Sequence, residues 1–206
     1  MTDDVKAIRD DLAFLRALAE DGRRTPLLGG SLLAAAGGCY GLASLVQWLI
    51  LARIVAIPPV WVFAVWALAA AVHLSLQAVL IRRLAGKPGM NSSTNRASRD
   101  VWTAVGAGCF VLMAAVAVAS WKARTGVLID FAPSIILVLY GAAWQVAGSV
   151  SKVAWIRAVA IASFAAAIAL GLLIGSTFVW LAYAAALFLL ALVPGLALMR
   201  QEPPAG

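Results

Sequence analysis

Six apolar segments occupy most of this chain and restrict it to very few folds. A helix of about 20 apolar residues crosses the hydrocarbon core of a bilayer. Because lipid offers no hydrogen-bond partners, the backbone of a spanning segment must satisfy itself within a helix or a closed barrel. Of the 206 residues, 64% are hydrophobic and 12% are charged, whereas soluble domains are about half apolar and about a quarter charged. The sequence therefore predicts an all-α polytopic membrane protein, a bundle of six transmembrane helices over residues 27–51, 57–81, 101–121, 131–150, 153–175 and 176–199.

The basic residues are distributed unequally between the two sides of these segments. Thirteen of the 16 lysines and arginines lie on one side, and only Arg53, Lys122 and Arg124 lie on the other. Since Lys and Arg near span ends resist translocation, the N-terminus and the C-terminus are both predicted in the cytoplasm. Compactness and richness in Ala, Gly and Arg favour a bacterial inner membrane. The thirteen are Lys6, Arg9, Arg16, Arg23, Arg24, Arg82, Arg83, Lys87, Arg96, Arg99, Lys152, Arg157 and Arg200.

Residues 1–24 are predicted to form a cytoplasmic amphipathic helix ahead of the transmembrane domain, residues 25–200, and residues 201–206 a cytoplasmic tail. Ile8, Leu12 and Leu15 recur at helical spacing on its apolar stripe. Within residues 1–21, six acidic residues accompany three basic ones, so anionic lipid would repel this part of the helix. We expect the stripe to dock on the bundle itself, on a second copy in a homo-oligomer, or on a cytoplasmic protein partner.

The longest linker, Arg82–Asp100, is predicted to be a flexible loop because it is rich in Gly, Pro, Asn and Ser. Its residues Arg82, Arg83 and Lys87 are expected to lie against anionic lipid headgroups. The net charge of +7 does not indicate nucleic acid, since the sequence has no basic face with interleaved aromatic residues outside the spans.

Polar side chains inside the spans are the candidate ligand-binding residues. His73 is the single histidine, and Gln77 shares its helix face one turn later. Large polar groups in lipid need partners and should face the bundle interior. They either line a pocket for a small molecule or only hydrogen-bond neighbouring helices. The candidates are His73, Gln77, Gln47 and Gln145, with Tyr40, Tyr140 and Trp144 as aromatic walls of such a pocket.

Small residues in the spans predict close helix packing. Gly37 and Gly41 form a GxxxG pattern in span 1, and Gly171 and Gly175 form a second one in span 5. Without side chains, helix backbones approach each other closely. In span 6, Pro194 and Gly195 predict a kink or an early end.

The two halves of the chain are weakly similar. At an offset of 107 residues, Pro26 meets Pro133 and Trp48 meets Trp155. Three spans in each half would make the halves run in opposite directions, which is the inverted repeat found in many transporters. A 3+3 inverted repeat is therefore one hypothesis, and chance similarity of Ala-rich helices is the other.

The residues that most enzymes and metal sites need are missing from the span interiors. No carboxylate lies there, and a lone histidine with Cys39 and Cys109 unpaired in sequence offers no metal cage. We therefore expect no enzyme, no metal and no cofactor. Two functions remain: binding or transport of a small molecule in the bundle, or a membrane-anchored interaction protein that uses its N-terminal helix.

Overall fold

A computed structural model describes residues 26–202 of the protein. The predicted N-terminal helix, with Ile8, Leu12 and Leu15, lies outside the described residues. Within them the fold is all-helical, and six helical stretches are long and apolar enough to cross a membrane. The elements are α1 (Gly30–Leu51), a 3₁₀ turn (Pro59–Trp61) leading into α2 (Val62–Leu84), α3 (Ser93–Ala123), α4 (Val127–Ser151), α5 (Ala154–Gly171), and a sixth span made of α6 (Phe178–Leu187), a π-helical turn (Phe188–Leu192) and α7 (Val193–Met199).

Two helices, α1 and α4, organise the bundle. Helix α1 packs against α2 on one side and against the sixth span on the other, while α4 packs against α3 and α5. Trp144 and Leu137 of α4, Ile156 of α5 and Ile50 of α1 are among the largest fully buried side chains of the described chain. Helices α2 and α3 are not a packed pair, although they follow each other in sequence.

Helix α1 and the sixth span approach each other at glycines. A Cβ atom on Gly37 would lie 2.4 Å from the backbone nitrogen of Leu192, and one on Gly41 would lie 2.6 Å from the ring of Phe188. Gly171 and Gly175 differ, since a Cβ atom there would meet nothing within 4 Å. Gly175 has a φ of +82° and lies in the turn before α6 rather than in a helix.

The predicted flexible loop is much shorter than the sequence indicated. Helix α2 continues to Leu84, and α3 already begins at Ser93, capped by Ser92, whose hydroxyl accepts a hydrogen bond from the Asn95 amide at 3.2 Å. A serine at this position satisfies one of the free N–H groups of the first helical turn. The prediction of a loop over Arg82–Asp100 was wrong because its Ser and Asn residues form a helix cap.

Span 6 does not end at Pro194 but continues to Met199. Proline has no N–H, so the carbonyl of Leu190 loses its helical donor. The indole N–H of Trp144 donates to this carbonyl at 3.0 Å, and a π-helical turn precedes the proline. The neighbouring helix therefore supplies the hydrogen bond that proline removes, as membrane helices require.

Three segments meet at the face that the charge distribution predicts to be cytoplasmic. The Glu202 Oε1 atom accepts hydrogen bonds from the N–H groups of Gly29 (3.1 Å) and Gly30 (2.9 Å), and its Oε2 atom pairs with Lys87 Nζ at 2.6 Å. Beside it, the Asn95 side chain accepts from the Leu28 amide at 2.9 Å. The start of α1 is thus capped by a carboxylate that is distant in sequence, at the positive end of the helix.

Candidate functional site

The four predicted binding residues lie in two places. Gln47 is buried in α1 and accepts a hydrogen bond from the indole N–H of Trp66 in α2. His73 and Gln77 are half-buried on the side of α2 that packs against α1. Gln145 is exposed on α4. The structure therefore brings three of the four to the contact between α1 and α2 and leaves Gln145 apart.

A row of aromatic rings leads from His73 to Trp180, near the start of the sixth span. The ring of Tyr40 lies 5.1 Å from the ring of His73 and stacks on Trp66 at a centroid distance of 6.2 Å. Trp66 in turn meets Trp180 edge to face at 6.0 Å. The Trp180 indole donates to Asp130 at 3.2 Å, which holds this end of the aromatic row between α4 and α6. Such rings are rigid walls with flat apolar faces.

The three tyrosines of the chain converge from three helices. Tyr140 of α4 and Tyr183 of α6 are buried, and Tyr40 of α1 is half-buried. Cys109 of α3 packs against the group of buried side chains that contains Tyr140, and Tyr40 packs against the neighbouring group that contains Tyr183. With His73 of α2, five of the six spans each contribute one polar side chain here. We call Tyr40, His73, Cys109, Tyr140 and Tyr183 the central cluster.

The central cluster has unused hydrogen-bonding capacity. No hydrogen bond joins any of the three tyrosine hydroxyls to a residue among 26–202, although these hydroxyls are not among the fully enclosed atoms that lack a partner. The Nδ1 atom of His73 is sealed from solvent and also has no partner among residues 26–202. Trp48, Ser120 and Ser134 also have a buried polar atom without a partner among the described residues, whereas the hydroxyl of Ser44 donates to the Trp180 carbonyl at 2.7 Å. A buried polar group without a hydrogen bond costs about 1–3 kcal/mol.

Trp144, predicted as a wall of the pocket, has a different position. It is fully buried, bonded to Leu190, and packed edge to face against Trp102 at 5.2 Å. Trp102 also meets Tyr140 at 5.3 Å. Trp144 therefore lies in the packed core beside the central cluster, and Trp102 contacts both Trp144 and Tyr140.

Sequence reasoning found His73, Tyr40 and Tyr140 but missed Tyr183 and Cys109. In the sequence, Cys109 is notable only as an unpaired cysteine, and Tyr183 lies among apolar residues with no polar neighbour that would mark it. The signal for both was available: all three tyrosines fall inside spans rather than at the span ends, where aromatic belts form. Which helices meet cannot be read from a single sequence, so the convergence itself was not predictable.

No protein-family model matches the chain, and neither a curated protein nor a solved structure matches it. The side chains of the central cluster are therefore the only indication of what it can bind. Among residues 26–202, no group of His, Cys, Asp and Glu side chains could hold a metal ion, and Cys39 and Cys109 are both free. The cluster offers neutral hydrogen-bonding groups between aromatic walls.

Proposed function

We propose that this protein is a multi-pass inner-membrane protein that binds a small molecule at the central cluster and moves it across the bilayer. The observation that carries the proposal is the set of polar side chains inside an apolar helix bundle: His73, whose Nδ1 atom is enclosed and unpartnered, and the buried rings of Tyr140 and Tyr183, whose hydroxyls have no hydrogen bond to a described residue. Lipid cannot satisfy these groups, and a bound molecule with matching polar atoms would. Small-molecule sites commonly combine apolar aromatic walls with a few convergent polar groups.

The packing of the spans favours transport over simple binding. Span 1 packs against spans 2 and 6, and span 4 packs against spans 5 and 3. In the 3+3 repeat, spans 1, 2 and 3 correspond to spans 4, 5 and 6. When each span is replaced by its counterpart, the contacts of span 1 become the contacts of span 4. This is the pairing expected of the 3+3 inverted repeat, whose two halves place their substrate site between them near the middle of the membrane.

The binding proposal is tested by analysing what the purified protein carries. The wild type and a Tyr140→Phe/Tyr183→Phe variant, both in lipid nanodiscs, are extracted with organic solvent and compared by mass spectrometry. We expect a small molecule in near-stoichiometric amount with the wild type and much less with the variant. Val138→Ala, an exposed change on the same helix as Tyr140, is the matched control. Identical extracts from wild type and double variant would contradict the proposal.

The proposed orientation places both ends of the bundle in the cytoplasm. Gly86 and Gly126 lie in loops at opposite ends of the spans, and a Cβ atom at either would meet nothing within 4 Å. The single variants Gly86→Cys and Gly126→Cys should therefore fold normally. We expect a membrane-impermeant thiol reagent applied to intact cells to label Gly126→Cys only. The reverse pattern would invert the proposed topology.

A further inference from the structure

We infer that the ligand of the central cluster is a neutral, lipid-soluble ring carrying carbonyl oxygens, of the quinone class, and that it reaches the cluster from the bilayer between α2 and α3. This inference rests on the proposed binding function and specifies its ligand and its access route. Four features of the described residues support it: the opening between two helices, the position of Tyr40, the absence of charge, and the kind of polar groups present.

Helices α2 and α3 each pack on one neighbouring helix, and we call the unpacked interval between them the opening. Helix α2 packs on α1 and helix α3 packs on α4, but the two are not packed against each other. Most residues of both helices are exposed, including Val72 and Leu76 in α2 and Phe110 and Val111 in α3. In a membrane this opening faces lipid chains, so a molecule dissolved in the bilayer can reach it without crossing water.

Tyr40 of α1 lies against α2, on the bundle side of this opening. Its ring meets His73 of α2 at 5.1 Å, while Cys109 of α3 packs against the buried side chains that include Tyr140. Tyr40, His73 and Cys109 are half-buried. Behind Tyr40 lie the more deeply buried hydroxyl-bearing rings of Tyr140 and Tyr183. A ligand passing between α2 and α3 would therefore meet Tyr40 first and the other two hydroxyls next.

The lack of charge selects a neutral ligand. Within residues 26–202, acidic and basic side chains lie near helix ends or in loops, and the central cluster contains none. Asp130, the acidic residue at the start of α4, already accepts from Trp180. A buried ion without an opposite charge is strongly disfavoured in a medium of low polarity. An anion or a cation would therefore bind poorly.

The polar groups present select a flat molecule with acceptor oxygens. Tyrosine hydroxyls are donors as well as acceptors, and neutral histidine carries one N–H. Hydroxyls on separate helices can donate to oxygens on opposite edges of one ring. The stacked rings of Tyr40 and Trp66 provide an apolar face of matching shape. Two opposed carbonyl oxygens on a planar apolar ring satisfy all these conditions.

The test uses three probes of similar ring character with the full chain in nanodiscs. They are 2,3-dimethyl-1,4-naphthoquinone, whose two methyl groups block addition of the free Cys109 thiol, 2,3-dimethylnaphthalene, which lacks the oxygens, and tetraphenylphosphonium, which carries a positive charge. Binding is measured by thermal shift and by competition with the molecule extracted from the purified protein. We expect saturable binding of the quinone alone. Tyr183→Phe and Tyr140→Phe, which keep the rings, should each weaken it about fivefold, the equivalent of one hydrogen bond.

The access route has its own pair of variants. Cys109→Phe places a bulky ring in the opening and should weaken quinone binding, whereas Val118→Phe, at an exposed position on the opposite face of the same helix, should not. Equal binding of the quinone and 2,3-dimethylnaphthalene, or preference for the phosphonium ion, would overturn the ligand class. If a molecule co-purifies but the quinone does not displace it, the binding function stands and this inference fails. If nothing co-purifies and no probe binds, both fail.

Discussion

Removing the hydroxyl of Tyr183 should stabilise the ligand-free protein. Tyr183 is 3% exposed, and its hydroxyl has no hydrogen bond to any described residue. Its ring packs against Trp180 at 6.5 Å, and phenylalanine keeps this contact. A fully enclosed unpaired hydroxyl costs about 1–3 kcal/mol, but the Tyr183 hydroxyl is not among the fully enclosed unpartnered atoms, and polar contributions measured in membrane proteins average about 0.6 kcal/mol. We therefore expect Tyr183→Phe to raise the free energy of unfolding by about 1 kcal/mol.

Ser44 provides the matched comparison, because its buried hydroxyl donates to the carbonyl of Trp180, the residue that Tyr183 packs against. Ser44→Ala removes a hydrogen bond that is made, so it should lower the free energy of unfolding by about 1 kcal/mol. The assay is SDS-induced unfolding of delipidated protein in a mild detergent. A loss of stability in Tyr183→Phe as large as that in Ser44→Ala would show that the Tyr183 hydroxyl has a protein partner, and the reasoning would be refuted.

Three further predictions concern packing and hydrogen bonding in the bundle. Gly37→Val should destabilise the protein severely or prevent folding, because its side chain meets the backbone of the sixth span, whereas Gly171→Ala, next to open space, should be neutral or stabilising by up to about 1 kcal/mol in the same SDS titration. Trp144→Phe should cost about 1–2 kcal/mol in the wild type but less in a Pro194→Ala background, where the helix supplies its own donor, and a double-mutant cycle with no coupling would contradict this. Glu202→Ala should lower the thermal unfolding temperature more than Glu202→Gln, since glutamine still accepts from the start of α1, and equal effects would mean that only the ion pair with Lys87 matters.

The membrane fold follows from the sequence because length and apolarity alone decide whether a segment spans a bilayer. All six predicted spans exist as helices, and most boundaries differ by a few residues. The early start of α3 has a local cause, the helix cap at Ser92. The continuation of span 6 past Pro194 has a tertiary cause, because Trp144 supplies the N–H that proline lacks. A local rule predicts that proline ends a helix, and only the neighbouring helix overrides it.

The candidate site was partly predictable for a similar reason. His73 and Gln47 are chemically unusual within apolar spans, so they could be identified one at a time. Cys109 and Tyr183 acquire their significance only from the residues they meet. Gln145 looked equivalent to Gln47 in the sequence, yet it lies on the exposed side of α4. Polarity inside a span can be read from the sequence, but the direction in which a side chain points depends on which helices pack together.

The contact between α1 and the sixth span has a consequence for the order in which the protein is assembled. Glu202, which caps α1, follows Gly30 by 172 residues. Gly195, whose backbone touches α1, is also synthesised long after α1 has entered the membrane. During synthesis the first helix must therefore remain in lipid without its cap and its closest neighbour. Its final position is fixed only after translation has reached the end of the sixth span, so insertion of each helix and completion of the bundle are separate events in time.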